Sequence, residues 1–141
     1  MTIALLDLDH FKGINDIYRH ATGNTLLFCV AYTTHKLIRH NNHLCRYGEE
    51  EFTMIFPGML LMETENAINR IKDAISRISF TSEDNPVFNV TASAGVVALK
   101  NHSNSFSSLQ DMLKAADQAL YTATMVAFAY FYGTIRLILN N

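Results

Sequence analysis

Residues 46–52 read Arg46-Tyr47-Gly48-Glu49-Glu50-Glu51-Phe52, which places three consecutive carboxylates between a glycine and an aromatic side chain. Adjacent like charges repel each other in a half-buried strand, and a buried charge needs a partner. Two interpretations account for this run of acids. It is either a solvated hairpin tip or a cation site, where acidic oxygens are gathered around a hard metal ion.

The segments around this run predict a β-hairpin and a neighbouring strand. Leu44 to Tyr47 and Phe52 to Phe56 are predicted strands joined across Gly48, Glu49 and Glu50. Near the start of the chain, TIALLDLD is an apolar run ending in two aspartates, which is typical of a buried strand. If these strands are neighbours, Asp7 and Glu50 meet at one rim of the sheet. Such a pair suits Mg²⁺, which takes one or two carboxylates and completes its shell with water and substrate phosphates.

Apolar periodicity predicts the helices that cover this sheet. The expected order is β-α-α-β-β-α-β-α, which indicates an α+β fold with a mixed, mainly antiparallel sheet in a ferredoxin-like layout. Ser107 or Ser108 is expected to cap the last helix, and Gly95 to bend the last strand. Two helices are predicted over residues 11–19 and 61–78. A further helix between them carries Leu26 to Ile38 on its apolar face, and the last helix has an inward stripe from Leu109 to Leu120. Residues 82–86 are a predicted loop, and residues 87–99 are a predicted strand.

Composition limits the classes of protein to consider. The 141 residues are 49% apolar with a formal charge of -2, which fits one domain over residues 1–141 and gives no broad basic surface for nucleic acid. Cys29 and Cys45 form neither a metal-binding pair nor a disulfide framework, and the histidines have no convincing zinc spacing. Asp7 and Asp9 interrupt the first apolar stretch, and no segment is long enough to span a bilayer, so a cytoplasmic location is expected. Phe128 to Tyr132 is expected to be the buried end of a strand or a helix.

Taken together, the short motifs resemble one family. LLDLDHFKGIND, H-x-x-G, RYGEEEF, VTASAGV and AADQALYTA occur in that order. They are similar to the D-x-D-x-F-K-x-I-N-D, G-H-x-x-G-D, R-x-G-G-D/E-E-F, V-T-x-S-x-G-V and A-D-x-A-L-Y-x-A patterns of GGDEF diguanylate cyclases. The resemblance covers residues 3 to about 123. It implies a palm-type nucleotidyl cyclase sheet and a homodimer in which two GTP molecules condense into cyclic di-GMP with release of pyrophosphate.

The resemblance also implies site roles. Asp7 and the Leu8 carbonyl would bind Mg²⁺, with Mn²⁺ as the alternative ion, and Glu51 would support the metal. Glu50 would bind the metal and accept the hydroxyl proton, while Lys12 would stabilise phosphate charge. The residues implied to contact the nucleotide are Asn15, His20, Asn24 and Gly48.

Several positions depart from the family pattern. Glu49 stands in place of the second signature glycine and adds bulk and negative charge beside the triphosphate. Asn24 stands in place of an aspartate that accepts guanine N–H groups, so guanine specificity is expected to weaken by roughly 1–3 kcal/mol. Arg19 replaces a glycine, and Asn42 removes the acid of the product-inhibition pattern R-x-x-D. Residues 124–141 diverge and lack two phosphate-binding cations, for which Arg136 is the candidate substitute.

These departures leave two functions open. The first is an active, Mg²⁺-dependent diguanylate cyclase. The second is a catalytically inactive module that binds GTP or a protein partner in cyclic di-GMP signalling. The chain opens directly in the predicted first strand, without the family's preceding helix. Relative to the family, the domain is therefore expected to be truncated at its N-terminus: either the chain is a fragment or the sheet has lost a covering element. Any sensor domain is expected to lie outside this sequence.

Overall fold

A buried strand near the N-terminus lies at the centre of the main sheet. The computed structural model describes residues 1–82, 85–99, 106–130 and 134–136. In chain order, the elements are β1 (Thr2–Leu8), α1 (Phe11–Leu37), β2 (His43–Arg46), β3 (Glu51–Phe56), α2 (Leu61–Ser76), β4 (Ser79–Ser82), β5 (Asn85–Asn89), β6 (Ala92–Ala98), α3 (Leu109–Tyr130) and β7 (Thr134–Arg136). The main sheet has the order β2-β3-β1-β6-β7, and β4 pairs with β5 in a separate hairpin.

The main sheet is mostly antiparallel. β1 pairs antiparallel with β3 on one side and with β6 on the other, and β2 pairs antiparallel with β3. Only the β6–β7 pair is parallel among the described strands. The predicted α+β class with a mixed, mainly antiparallel sheet is therefore confirmed.

Alternation along β1 sends its side chains to two different helical layers. Ala4, Leu6 and Leu8 belong to the larger core, together with apolar residues of α1 and α2. Leu5 lies on the opposite face and packs with Ala116 and Leu120 of α3. The sheet is thus covered on both faces, and Asp7 lies on the same face as Leu5.

Helix α1 contains a break at Arg19. This residue has φ 73° and ψ 160°, a backbone conformation that is essentially reserved for glycine. The sequence predicts separate helices before and after residues 20–24. In the structure the interruption is confined to Arg19, and residues 20–24 are already helical.

The region after α2 differs from the prediction. The predicted loop at 82–86 is wrong for its described residues, because Ser82 belongs to β4 and Asn85 and Pro86 belong to β5. Phe88 of β5 stacks on Tyr18 of α1 with ring centroids 4.1 Å apart. The predicted strand 87–99 is two strands, because Asp9 bonds Thr91 where the chain leaves one sheet and enters the other. Gly95 continues the regular β1–β6 register, opposite Leu5.

The last helix begins as predicted, because the Asp111 N–H donates to Ser108 Oγ at 3.2 Å. Met112, Ala116, Ala119 and Leu120 are buried as expected. Leu109 is half exposed, so its predicted inward position is wrong. The predicted burial of Phe128 to Tyr132 and the role of the Arg136 side chain lie outside the described residues. Within the described part of the chain, no helix combines the length and the apolar character needed to cross a bilayer.

Candidate functional site

The end of β1 and the signature hairpin meet at one rim of the main sheet. Asp7 pairs with Glu51 across the β1–β3 ladder, and the Leu8 N–H donates to the Glu50 carbonyl at 3.3 Å. Directly paired residues of an antiparallel ladder project their side chains from the same face. The structure therefore brings together the acidic residues that the sequence predicts as neighbours.

Asp7 is the most perturbed acid of this rim. Its Oδ1 is buried and has no hydrogen-bond partner among the described residues. Burial and then the negative charges of Glu50, Glu51 and Asp9 together raise the pKa of Asp7 to about 7. Such a carboxylate is stabilised when a cation binds beside it, because the cation favours the ionised form.

Glu50 lies in the turn between β2 and β3. Its pKa is raised by burial and then by the neighbouring charges of Glu49 and Glu51. Glu49 itself is exposed, and its side chain adds negative charge beside Glu50 without being buried. The rim is therefore an acidic site that opposes its own ionisation.

The carboxylate oxygens of this rim are the kind of ligand that a hard cation such as Mg²⁺ prefers. Among the described residues, no three His, Cys, Asp or Glu side chains are arranged to hold a metal ion. Mg²⁺ needs fewer protein ligands, since it retains waters and shares substrate phosphates. The buried, unpartnered Oδ1 of Asp7 beside Glu50 supplies the kind of oxygen that this ion prefers.

Arg46 holds the turn that presents these acids. Its Nε donates to the Gly48 carbonyl at 3.1 Å, and its Nη2 donates to the Glu49 carbonyl at 2.7 Å. The Tyr47 N–H also donates to the Glu51 carbonyl at 2.8 Å. Arg46 is not among the predicted site residues, although its position two residues before Gly48 is a signal in the sequence that its side chain can bond the turn.

Asp9 ties the end of β1 to the start of β6. Its carboxylate accepts hydrogen bonds from Thr91 Oγ1 at 2.7 Å and from Ser93 Oγ at 2.8 Å. Burial lowers the pKa of Lys72 of α2, and the negative charge of Asp9 opposes this shift. Asp9 thus fixes the strand that carries Asp7, and the threonine and serine of the V-T-x-S motif are its partners.

Helix α1 carries the predicted nucleotide contacts. The Oδ1 atom of Asn15 is buried without a hydrogen-bond partner among the described residues. A Cβ on Gly23 would overlap it, so the glycine leaves room for this position of the Asn15 amide. Lys12 is exposed in the first turn, and His20 and Asn24 are exposed one turn apart after the break. His20 and Asn24 lie within α1, whereas the sequence predicts an interruption between two helices over residues 20–24.

Gly48 has a nearby carboxylate in place of open space. A Cβ at this position would lie 2.7 Å from Glu51 Oε2. The glycine therefore allows the Glu51 side chain to fold back over the turn. The roles of the predicted site residues in binding nucleotide and metal stay predictions.

Comparison with known proteins agrees with this fold. The model of the diguanylate cyclase GGDEF domain matches residues 1–126. The chain belongs to the GGDEF family. Diguanylate cyclase DgcP of Pseudomonas aeruginosa is 32% identical to this GGDEF chain over 123 residues, which are 87% of this chain and 18% of DgcP. Response regulator PleD of Caulobacter vibrioides is 35% identical over 120 residues, which are 84% of this chain and 26% of PleD.

A solved GGDEF domain has the same fold. The GGDEF domain of DgcB from Caulobacter crescentus, determined in complex with c-di-GMP, superposes with a TM-score of 0.80 at 30% identity. The match covers 89% of this chain and 72% of that chain. The curated relatives are much longer, since this chain spans only 18% of DgcP and 26% of PleD. The predicted family and palm-type cyclase architecture are therefore confirmed.

Proposed function

We propose that this GGDEF chain is a diguanylate cyclase domain that condenses two GTP molecules into cyclic di-GMP as a homodimer. The supporting observation is the buried Oδ1 of Asp7, which has no hydrogen-bond partner in the described part of the chain and lies beside Glu50. Asp7, Glu50 and the Leu8 carbonyl would hold Mg²⁺, or Mn²⁺ as the alternative, with Glu51 in support. When bound, this ion would polarise the α-phosphate and neutralise phosphate charge.

The chemistry requires a proton acceptor beside the attacking hydroxyl. The 3′-oxygen of one GTP forms a bond to the α-phosphorus of the other, and the α–β phosphoanhydride bond breaks to release pyrophosphate. The hydroxyl proton passes to Glu50, whose raised pKa makes it a stronger base than an ordinary glutamate. Because each GTP must attack the other, two copies of the chain are needed to hold them in line.

The surrounding residues would orient the nucleotide. Lys12 is exposed in the first turn of α1 and would contact phosphate oxygens. Asn15 offers an unpartnered acceptor, and His20, Asn24 and Gly48 would contact the nucleotide around it. The curated relatives extend well beyond the matched region, so we propose that control comes from a further domain or a partner protein.

A second function is favoured by two departures from the family pattern. Glu49 adds a negative charge where the triphosphate would lie, and its charge already raises the pKa of Glu50. Asn24 removes one acceptor for guanine. These features favour a module that binds GTP or a protein partner in cyclic di-GMP signalling without turnover.

Incubation of the chain with GTP and Mg²⁺, followed by chromatography, separates these functions. The cyclase proposal expects cyclic di-GMP from the wild type, none from Glu50→Gln, and unchanged yield from Asp117→Asn on the exposed side of α3. A GTP-dependent rise in melting temperature without product would support the binding module. The absence of both product and thermal shift would contradict both functions.

A further inference from the structure

A groove of about 500 Å³ lies between the C-terminal half of α1 and strand β2. Phe28 and Tyr32 of α1 form one wall of this groove, while His43, Leu44 and Cys45 of β2 form the other. Successive side chains of a strand point to opposite faces. A groove that touches three consecutive residues of β2 therefore runs along the edge of that strand.

The edge of β2 is open in the described part of the chain. β2 is the terminal strand of the main sheet, and its ladder is made with β3 alone among the described strands. A terminal strand presents N–H and C=O groups that can pair with an additional strand. The groove therefore lies beside main-chain groups that are able to receive an extended peptide.

Two aromatic rings give this groove an apolar wall. Phe28 is 71% exposed and Tyr32 is 52% exposed, and their rings stack with centroids 6.3 Å apart. The Lys36 ammonium lies 4.6 Å from the centre of the Tyr32 ring, which restricts that ring and adds a positive charge at the rim. Adjacent large apolar side chains that remain exposed are characteristic of an interaction surface.

The charge of this region selects the occupant. Residues 17–48 contain no Asp or Glu, but they contain four Lys or Arg and four His. His35 and His43 line the groove, and Lys36 and Arg39 lie close to it in sequence. A second copy of the chain would bring the same basic strand edge against this one, and like charges would repel. The surface is therefore complementary to an acidic segment from a different protein.

A buried polar atom in the wall provides a separate indication of a ligand. Asn42 lines the groove and is only 8% exposed, yet its Oδ1 has no hydrogen-bond partner among the described residues. Its amide nitrogen already donates to Met59 Sδ at 3.7 Å. An unpartnered buried acceptor is satisfied when a donor such as a peptide N–H enters the groove.

We propose that the groove between α1 and β2 docks an extended acidic segment of a partner protein. The segment adds a strand to the edge of β2, places an apolar side chain against Phe28 and Tyr32, and directs its carboxylates toward Lys36 and Arg39. This binding surface is separate from the acidic rim at Asp7 and Glu50. Its occupation does not depend on whether the chain turns over GTP.

Fluorescence anisotropy with a designed peptide tests this proposal on the full chain. The probe is a labelled peptide of about nine residues in which Asp or Glu alternates with Val, Leu or Phe, and its counterpart carries Lys at every acidic position. We expect saturable binding of the acidic peptide alone. Affinity should fall by about tenfold between about 50 mM and about 300 mM salt, because the contacts between exposed charges are screened.

Variants locate the binding site. Phe28→Ala and Lys36→Glu should each weaken the acidic peptide by about tenfold, as expected for an anchoring side chain and a charge contact. Lys114→Glu makes the same charge change on an exposed position of α3 and should have no effect. Amide hydrogen exchange should slow along β2 when the peptide binds. Equal binding of both peptides, no binding, or unchanged exchange in β2 would overturn the proposal.

Discussion

Two side chains, Asp7 and Arg19, occupy environments that oppose their own preferences. Asp7 is a half-buried carboxylate among other carboxylates, and its pKa of about 7 reflects first this desolvation and then their negative charges. Arg19 adopts φ 73° and ψ 160° while its side chain is exposed, so no packing compensates the backbone strain. The proposed cation would account for the first environment, because it would favour the ionised carboxylate. The second is explained by the glycine that the family pattern has at this position.

Arg19→Gly should increase the stability of the fold. Glycine reaches this backbone conformation without a Cβ clash, so the free energy of unfolding is expected to rise by about 1–2 kcal/mol. Urea denaturation measures this difference. Arg19→Ala removes the same charged side chain but keeps the Cβ, and it should leave the stability nearly unchanged. Equal effects of the two substitutions would contradict backbone strain as the cause.

Glu49→Gly should strengthen nucleotide binding. The substitution removes a charge that raises the pKa of Glu50, and no positive φ is recorded at this position, so backbone strain does not enter. Loss of one nearby repulsive charge is expected to tighten binding of a non-hydrolysable GTP analogue by about tenfold, as measured by calorimetry with Mg²⁺.

Glu49→Gln separates charge from bulk at the same position. If repulsion dominates, Gln should recover most of the affinity gained with Gly. If the size of the side chain dominates, Gln should behave like the wild type. A glycine variant that binds no more tightly than the wild type would show that the triphosphate does not pass near this residue.

Helix α3 approaches the sheet closely at Gly95 of β6. A Cβ on this glycine would overlap the Ala116 carbonyl oxygen and the Leu120 nitrogen. Both are backbone atoms and cannot rotate away. The packing of this helix on Leu5 and Val97 therefore depends on the absence of a side chain at one residue of β6.

Gly95→Ala should destabilise the chain by about 1–3 kcal/mol, because the helix must move away from the sheet. Gly13→Ala provides the matched control, since a Cβ there meets nothing within 4 Å and the residue occupies an exposed position of α1. Alanine at position 13 should stabilise the chain by about 0.5–1 kcal/mol through helix propensity. Thermal or urea unfolding measures both changes in stability, and the two substitutions are expected to change it in opposite directions.

For the molecule as a whole, the acidic rim links stability to pH. The folded-state pKa of Asp7 is raised from 3.8 to about 7, so between these values the folded chain binds more protons than the unfolded chain. The free energy of unfolding contributed by this group is therefore greatest at low pH and falls as pH rises toward 7.

Unfolding of the metal-free chain from pH 4.5 to pH 8 should show this fall, by less than about 1.4 kcal/mol per pH unit from Asp7. Asp7→Asn should reduce the slope, because the amide does not ionise. Mg²⁺ should stabilise the wild type more at pH 8 than at pH 5, since it binds the ionised carboxylate. A pH profile unchanged by Asp7→Asn would contradict the assigned environment.

Much of the fold was predictable from local patterns. The apolar run before Asp7, the glycine between two strands, and the serine cap of α3 each act through neighbouring residues, so periodicity and turn chemistry reveal them. The predictions failed where distant segments intervene. The strand expected from Val87 to Leu99 is divided because Asp9 bonds Thr91 across the chain. Arg19 adopts a conformation that no local propensity favours.

By itself, the sequence determined the family, the α+β class and the identity of the acids that gather at one rim, because ordered motifs and alternation are written along the chain. The tertiary structure decided how strongly Asp7 is desolvated, which arginine holds the turn, and where an aromatic groove meets a strand edge that is open in the described part of the chain. These properties depend on desolvation and contact between segments far apart in sequence. Burial and electrostatic environment exist only after the chain has folded.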